Sequence, residues 1–375
     1  MSFPKAGLSY VGIDNGSNQI KLYTQINGRV VTRQIPSHVG FGLANLRSSE
    51  KDDDDKTTMA TKGGDGKLGL YHVNAAVPLE TTNADYQYNE VNRILVNRAL
   101  FEANLGGPEK TLHLCVGLPI MAYYHTHDFS WREDNIARVV QNLNTPVYHY
   151  ADTTPEGEVK LSASPVANIK KVDVMAETVA AWMDDRMVVN EQGNIVVNKA
   201  ISKESRIYID IGGNTTDVLI VGDSKIDAAS DSLQIGGNHL FDYIGRMISS
   251  RTGIPRNRVT HAQIEQALKT NAARTAHGSR IDLESDIEAI KNEFFSNLRH
   301  SIKGLIGYKG SEVERVVLLG GTAKEHYSQL QLFDEDLQRL HDEPVFANAR
   351  AMWKRAKMLH LAEQRQSSQG SARSS

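Results

Sequence analysis

The 375-residue sequence contains one cysteine, Cys115, so neither an internal disulfide nor a cysteine-based zinc site is possible. That usage fits a reducing, cytoplasmic setting. Long apolar runs are missing too. None approaches the roughly 18 residues of a membrane span, and the opening MSFPKAGLSY lacks a basic segment followed by an apolar one. Neither export nor membrane insertion is expected. Neither sign of charge is in excess, with 42 Lys and Arg against 45 Asp and Glu and a net charge of −3. So balanced a chain exerts no long-range pull on nucleic acid or anionic lipid, which argues against direct DNA binding. What is present is 40% hydrophobic and 23% charged residues, the composition of a folded globular protein, over a length that suits roughly two or three domains.

Along the chain, Val11 to Ile13, then Ile20 and Leu22, then Val30 and Ile35 read as a small meander, with a hairpin turn expected at Asn15-Gly16. From residue 37 to about 69 the composition turns polar and includes KDDDDK at Lys51 to Lys56. Adjacent carboxylates repel and resist burial, so this stretch is expected to be an exposed, mobile insertion. The run also matches an enteropeptidase cleavage sequence, and an acidic docking patch is the functional alternative. Helical spacing over Asn89 to Leu105 precedes an alternating strand at Leu112 to Val116, the rhythm of an α/β fold. A helix over Trp131 to Leu143 and two short strands within Val159 to Val174 follow. A helix is expected from Ala176 to Val189, then a strand pair at Arg206–Ile211 and Asp217–Gly222, then a helix from His239. Thr260 and Gln263 carry a capping-box signature, with Val259 and Ile264 placed as a hydrophobic staple. A long helix covers Ile287 to Leu305, a buried strand Arg315 to Leu319, and a last amphipathic helix Ala349 to Leu359. The polar tail after Glu363 is expected to be disordered.

One internal similarity matters more than any single motif. GIDNGSNQIKL at Gly12 to Leu22 is repeated in outline by YIDIGGNTTDVLI at Tyr208 to Ile220. An Asp before a Gly turn is ordinarily just a turn cap. Two of them at the starts of two α/β halves suggest a duplicated scaffold with a ligand held between the halves. Gly16, Gly212 and Gly213 remove side chains so that backbone N–H groups can converge on phosphate oxygens. Asn15, Ser17, Asn18, Asn214 and Thr215 are counted with these turns as nucleotide-binding residues, and Lys21 adds a positive charge within reach of a phosphate. Asp14 and Asp210 would face a Mg²⁺ riding on the phosphates, through water. Gly236-Gly237-Asn238 and Gly320-Gly321-Thr322 lie before and after further strand and helix boundaries, where turns can offer N–H groups at a helix end; each alone is equally a packing turn. Glu177 reads either as a carboxylate at a helix N-terminus or as the group that orients and deprotonates an attacking water.

These residues resemble the actin-like ATPases, and within them the ParM/StbA plasmid-segregation proteins, over nearly the whole chain. VGIDNGSNQIKL is similar to the family's first phosphate loop, VMAETVAAW to its connecting segment, YIDIGGNTTDVLIV to its second phosphate loop and VVLLGGTA to its adenosine segment. ETTNADYQYNEVNRILVNRAL at Glu80 to Leu100 and VGLPIMAYY at Val116 to Tyr124 carry the narrower likeness to ParM. The resemblance implies an actin-like fold of ribonuclease H-like duplicated halves, with the nucleotide in the interdomain cleft. It implies polymerisation with ATP, or GTP, and Mg²⁺ into filaments that separate plasmid copies. DNA would be reached only through a ParR-type adaptor bound at a centromere-like site. It places Glu177 on the family's catalytic glutamate, Asp210 on its Mg²⁺-linked aspartate, Asp14 and Gly16 in the first loop, and Gly320 and Gly321 in the adenosine segment. There Thr322 stands in place of a third glycine.

The expected domains are 1–172 with 345–363, carrying the polar insertion, and 173–344, followed by a tail at 364–375. A small-molecule kinase of the same superfold would need a dedicated Asp base, which nothing marks, and a chaperone would need a further substrate-binding domain. His125 and His127 could offer two imidazoles to a metal, though a surface loop is the ordinary reading. The basic residues from Arg350 onward read as a solvated face or a contact for a filament neighbour, the adaptor or DNA.

Overall fold

Alternating apolar residues at the start of the chain build β1 (Leu8–Asn15), β2 (Gln19–Ile26) and β3 (Arg29–Pro36), paired antiparallel in that order. The tight turn is at Asn27-Gly28, where both residues take positive φ, 51° and 77°. A two-residue hairpin needs that backbone, and Asn-Gly tolerates it. The Asn-Gly pair expected to form a turn earlier does something else: Asn15 ends β1, and Gly16, Ser17 and Asn18 link to β2 without positive φ. The computed structural model describes residues 7–43, 58–75, 78–125, 128–227 and 229–373. They divide into two units, Met1–Ser202 with Val345–Ser375, and Lys203–Pro344.

The first unit continues with β4 (Val39–Phe41), β5 (Thr58–Lys62), β6 (Leu68–Val73), α1 (Glu90–Glu102), β7 (Gly107–Leu118), α2 (Glu133–Asn144), β8 (Val147–Thr153), β9 (Val159–Leu161), β10 (Ala167–Ala176), α3 (Val179–Arg186), β11 (Met187–Val189) and β12 (Ile195–Val197). Its main sheet has the order β10-β7-β1-β2-β3, and a second sheet has β4-β6-β5-β8-β9. The expected insertion at 37–69 is therefore part of a sheet on both sides of the acidic run, with Met59 and Ala60 fully buried. Strands this short, set between polar tracts, leave little alternation to read. KDDDDK itself lies outside the described residues, as does His127. Residues 173–202, expected to open the second domain, belong to the first unit, where β10 completes the main sheet. The expected helix to Val189 stops at Arg186, because Met187, Val188 and Val189 pair with Val197, Val196 and Ile195 across an Asn190–Gly193 turn. β-branched residues favour that pleated pairing.

The last helix, Ala347–Arg373, returns to this unit. It lies so close to β1 that Gly12 has no room for a side chain: the backbone of Ala349 and Trp353 fills the space. Ala349, Met352, Trp353 and Ala356 are buried there. Opposite, the fully buried carboxylate of Asp184 in α3 binds Arg350 through Nη2 at 2.7 Å and Lys354 through Nζ at 2.6 Å. The helix runs on through the stretch expected to be disordered. Past Pro344 no proline interrupts it, and Glu, Gln, Arg and Ala are good helix formers.

The second unit holds β13 (Arg206–Ile211), β14 (Thr216–Gly222), β15 (Lys225–Ile226), β16 (Asp231–Leu233), α4 (Gly237–Thr252), α5 (His261–Thr270), β17 (Ala272–Arg274), β18 (Arg280–Asp282), α6 (Glu284–Ile306), β19 (Arg315–Leu319), α7 (Gly321–Glu325) and β20 (Gln338–Leu340). Its sheet has the order β15-β14-β13-β19-β20, with β16 also on β14. Ile207, Ile209 and Leu318 from the sheet share a core with Ile244 and Ile248 of α4 and with Phe294 and Leu298 of α6. Thr260 and Gln263 form the expected capping box, and Val259 and Ile264 are both buried. The duplication is visible in the ladders: β1 is antiparallel to β2 and parallel to β7, and β13 is antiparallel to β14 and parallel to β19.

Candidate functional site

Each unit carries its Asp-Gly hairpin at the same place, where the central strand of its sheet ends. In the first unit, Asp14 stands opposite Lys21 in the β1–β2 register, and Lys21 Nζ lies 3.0 Å from Asp14 Oδ2. The lysine expected to reach a phosphate thus neutralises the neighbouring buried carboxylate. Asn15 is fully buried; its Oδ1 accepts from Gly117 N at 3.0 Å, and its Nδ2 donates to Asn92 Oδ1 at 3.3 Å. Its side chain faces the interior of the domain rather than a ligand.

The carbonyls of the turn are gripped from behind. Gly16 O accepts from Ser37 Oγ at 2.8 Å and from Tyr86 Oη at 3.3 Å, Ser17 O accepts from Thr81 Oγ1 at 2.6 Å, and Asn18 O accepts from Ser37 N at 2.9 Å. In a trans peptide the C=O and the next N–H point in opposite directions. Holding Gly16 O and Ser17 O inward therefore directs the N–H groups of Ser17 and Asn18 to the other side of the turn. Burial pushes the Tyr86 phenol up to about 12, so it stays a hydrogen-bond donor at neutral pH. None of Ser37, Thr81, Tyr86 or Asn92 carries a phosphate-site signal in the sequence. The available hint was that Thr81, Tyr86 and Asn92 all fall in the Glu80 to Leu100 segment, whose polar residues have no helical role at its start.

Glu177 does not sit in the helix. β10 ends at Ala176, α3 begins at Val179, and Glu177 occupies the turn between them, with its N–H donating to Leu118 O at 2.8 Å. Its half-buried side chain lies over Gly117, where an added Cβ would stand 2.9 Å from both Glu177 Cγ and Oε1.

In the second unit three glycine turns are locked together. Asp210 is the penultimate residue of β13, followed by the turn in which Gly212 N donates to Thr215 O at 3.0 Å. Gly237 N donates to Gly212 O at 3.0 Å and Asn238 N to Gly213 O at 2.7 Å, while Asn238 Nδ2 reaches Asn214 Oδ1 at 2.8 Å. These N–H groups at the start of α4 are thus engaged with the hairpin, and the glycines permit the approach: a Cβ on Gly236 would stand 2.6 Å from Gly213 O. Gly320, with φ of 95°, brings the turn after β19 against the Asp210 carboxylate, which a Cβ there would meet at 2.6 Å. Thr322 donates its hydroxyl to Gly212 O at 3.1 Å, so the residue standing where a third glycine was expected ties this turn to the hairpin. An added Cβ on Gly321 would have no atom within 4 Å.

Among the described residues no group of three or more His, Cys, Asp or Glu could by itself hold a metal. Taken singly, Asp14 and Asp210 each offer hard carboxylate oxygens of the kind that Mg²⁺ prefers. Two cavities of the first unit, about 530 Å³ beside Arg29 and Arg33 and about 470 Å³ beside Pro108 and Pro146, contain none of these residues.

Two α/β units, each headed by an Asp-Gly hairpin at the end of the central strand of a mixed sheet, constitute the actin-like ATPase fold. The family model for the N-terminal domain of plasmid segregation protein ParM (StbA) matches residues 10–186, and that for the C-terminal domain of the archaeal MreB-like actin homologue matches residues 208–331. The first half of the chain thus matches the ParM N-terminal domain and the second an actin-homologue C-terminal domain, and the chain as a whole has the actin-like fold. Among solved structures, a 15-stranded ParM filament from Clostridium botulinum is similar at 18% identity and a TM-score of 0.67, over 94% of this chain and 99% of that one. An archaeal actin homologue in complex with ADP is similar at 18% identity and a TM-score of 0.63, over 93% and 99%. Bacillus thuringiensis ParM with ATP is similar at 15% identity and a TM-score of 0.60, over 94% and 99%. At such identities the likeness is one of fold. Curated protein sequences give no match. Among the described residues no helix is long and apolar enough to cross a membrane.

Proposed function

We propose that the protein binds and hydrolyses ATP, or GTP, with Mg²⁺, polymerises into filaments in that state, and moves plasmid DNA through a ParR-type adaptor in the cytoplasm. The observation that carries this reading is the matched pair of hairpins, each with an Asp at a strand end and its turn fixed by bonds from the rest of its unit. In this reading each hairpin serves a nucleotide. Asp14, Gly16, Ser17 and Asn18 of the first, and Asp210, Gly212, Gly213, Asn214 and Thr215 of the second, face its phosphates, and Gly320, Gly321 and Thr322 lie towards its adenosine. Asn15, Gly236, Gly237 and Asn238 hold these turns in place. When bound, Mg²⁺ neutralises phosphate charge.

Glu177 orients the attacking water and takes its proton as the water oxygen bonds to the terminal phosphorus and the bond to the bridging oxygen breaks. Self-assembly is supported by the filament form of the C. botulinum relative, and indirect DNA contact by the near-zero net charge. The test is sedimentation and light scattering with ATP and Mg²⁺, GTP and Mg²⁺, or no nucleotide. Triphosphate-dependent pelleting is expected; identical behaviour with and without nucleotide over a broad protein range would remove the filament reading.

A further inference from the structure

We propose that Asn15 and Gly117 are positioning residues that set Glu177 for its part in hydrolysis, a role that rests on the reading of Glu177 given above. The parallel ladder between β1 and β7 runs from Leu8 opposite Thr111 to Ile13 opposite Val116 and stops there. One residue further along β7, the Gly117 N–H is taken by a side chain instead, Asn15 Oδ1 at 3.0 Å. The other end of that amide is held by Asn92 of α1, which also returns its own Nδ2 to Asn15 O at 3.5 Å. Asn15 and Asn92 are both fully buried. The amide is therefore fixed at both ends inside the domain, and it extends the sheet by one bond at the point where the phosphate turn begins.

The strand end held in this way is the floor under Glu177. Leu118, next after Gly117, accepts the Glu177 N–H at 2.8 Å, and the Glu177 side chain crosses Gly117 where a methyl group would stand 2.9 Å from its Cγ and Oε1 and 3.0 Å from Met352 Cε. The Met352 terminus can swing aside. Glu177, tethered by its backbone, can yield only by changing the direction of its carboxylate. Bond by bond, the first phosphate turn is thus connected through Asn15, Gly117 and Leu118 to the carboxylate that acts on the terminal phosphate. A displacement of about 1 Å in such a group can cost about a hundredfold in rate, whereas a merely structural role would change stability and leave the chemistry of the folded protein alone.

The test uses the full chain with Gly117→Ala and Asn15→Ala, each alone and combined with Glu177→Ala. Steady-state ATP hydrolysis with Mg²⁺, thermal melting and pelleting are run in parallel so that lost assembly is separated from lost chemistry. Each single variant is expected to lower kcat about tenfold or more, Gly117→Ala with KM changed less than about twofold, and to have no further effect on kcat in the Glu177→Ala background. Should Asn15→Ala not fold, Gly117→Ala decides alone. Wild-type kcat in folded Gly117→Ala, a change in KM only, or an equal further loss in the Glu177→Ala background overturns the positioning role while Glu177 keeps its own. Undiminished turnover by Glu177→Ala overturns both.

Discussion

Lys21 and Asp14 face each other across the first hairpin at 3.0 Å, with side chains only 15% and 7% exposed. A carboxylate so enclosed depends on that ammonium. Lys21→Met is expected to destabilise the protein by about 3 kcal/mol in urea unfolding, and adding Asp14→Asn to recover most of the loss, because the uncompensated charge is then gone. A loss below about 0.5 kcal/mol for the single variant would mean that the pair contributes no more than an exposed ion pair.

Asp184 is the acceptor shared by Arg350 and Lys354, with Arg350 Nε at 2.8 Å from Oδ2 in addition to the contacts above. Burial holds the Lys354 ammonium below its usual range, against the pull of Asp184. Asp184→Asn leaves two cations around a neutral amide, and a cost of about 3 kcal/mol or more is expected. Thermal melting measures it, and limited proteolysis should release the last helix faster in the variant than in the parent.

Burial pushes the Cys115 thiol from 9.0 up to about 12. A folded-state value above the unfolded one gives stability that is complete below pH 9 and is lost as the pH rises toward 12, since the unfolded chain ionises first. Melting temperature should therefore fall as pH rises above 9, and Cys115→Ala should show a shallower fall. The native thiol should also resist an alkylating reagent at pH 8 that reacts promptly once the chain is unfolded; equal rates would show that the thiol is accessible in the native protein.

Gly320 combines φ of 95° with close approach to Ile211 O and Asp210 Oδ1. Gly320→Ala is expected to cost about 3 kcal/mol and to weaken nucleotide binding. Thr322→Val keeps the shape and removes only the hydroxyl donated to Gly212 O, so a loss of about 1 kcal/mol is expected. Urea unfolding of both variants checks the order, and Thr322→Val as the more damaging change would contradict it.

The duplicated α/β plan was legible because the Asp-Gly hairpin occurs twice, and the actin-like fold because four segments resemble that family's motifs in the family's order. Position along the chain was enough to put Asp14, Asp210 and Gly320 at or just past strand ends, while Glu177, expected just inside a helix, lies in the turn before it. The missing information was spatial. Asn15 looks like one more donor in a phosphate turn, yet its partners, Asn92 and Gly117, come from a distant helix and strand. Gly236 and Gly237 look like a helix end offering N–H groups, but Gly237 and Asn238 donate to carbonyls of the preceding hairpin. A sequence states which residues have hydrogen-bonding groups and not where those groups are engaged. The short strands β4, β5 and β6 were hidden for a related reason, since Thr58–Lys62 gains its burial from β6 and β8 on either side.

Gly12 meets the last helix, and Asp184 meets Arg350 and Lys354, only after the second unit has been made. During synthesis the first 202 residues emerge without the helix that covers β1, while Lys203–Pro344 is contiguous and lacks nothing from either end. The first unit is therefore completed only when residues 345 onward are available, whereas the second is encoded in one uninterrupted stretch. Lys203–Pro344 produced alone is expected to resist protease, whereas residues 1–202 produced alone are expected to be protease-sensitive, with Gly12 and Asp184 stripped of the last helix.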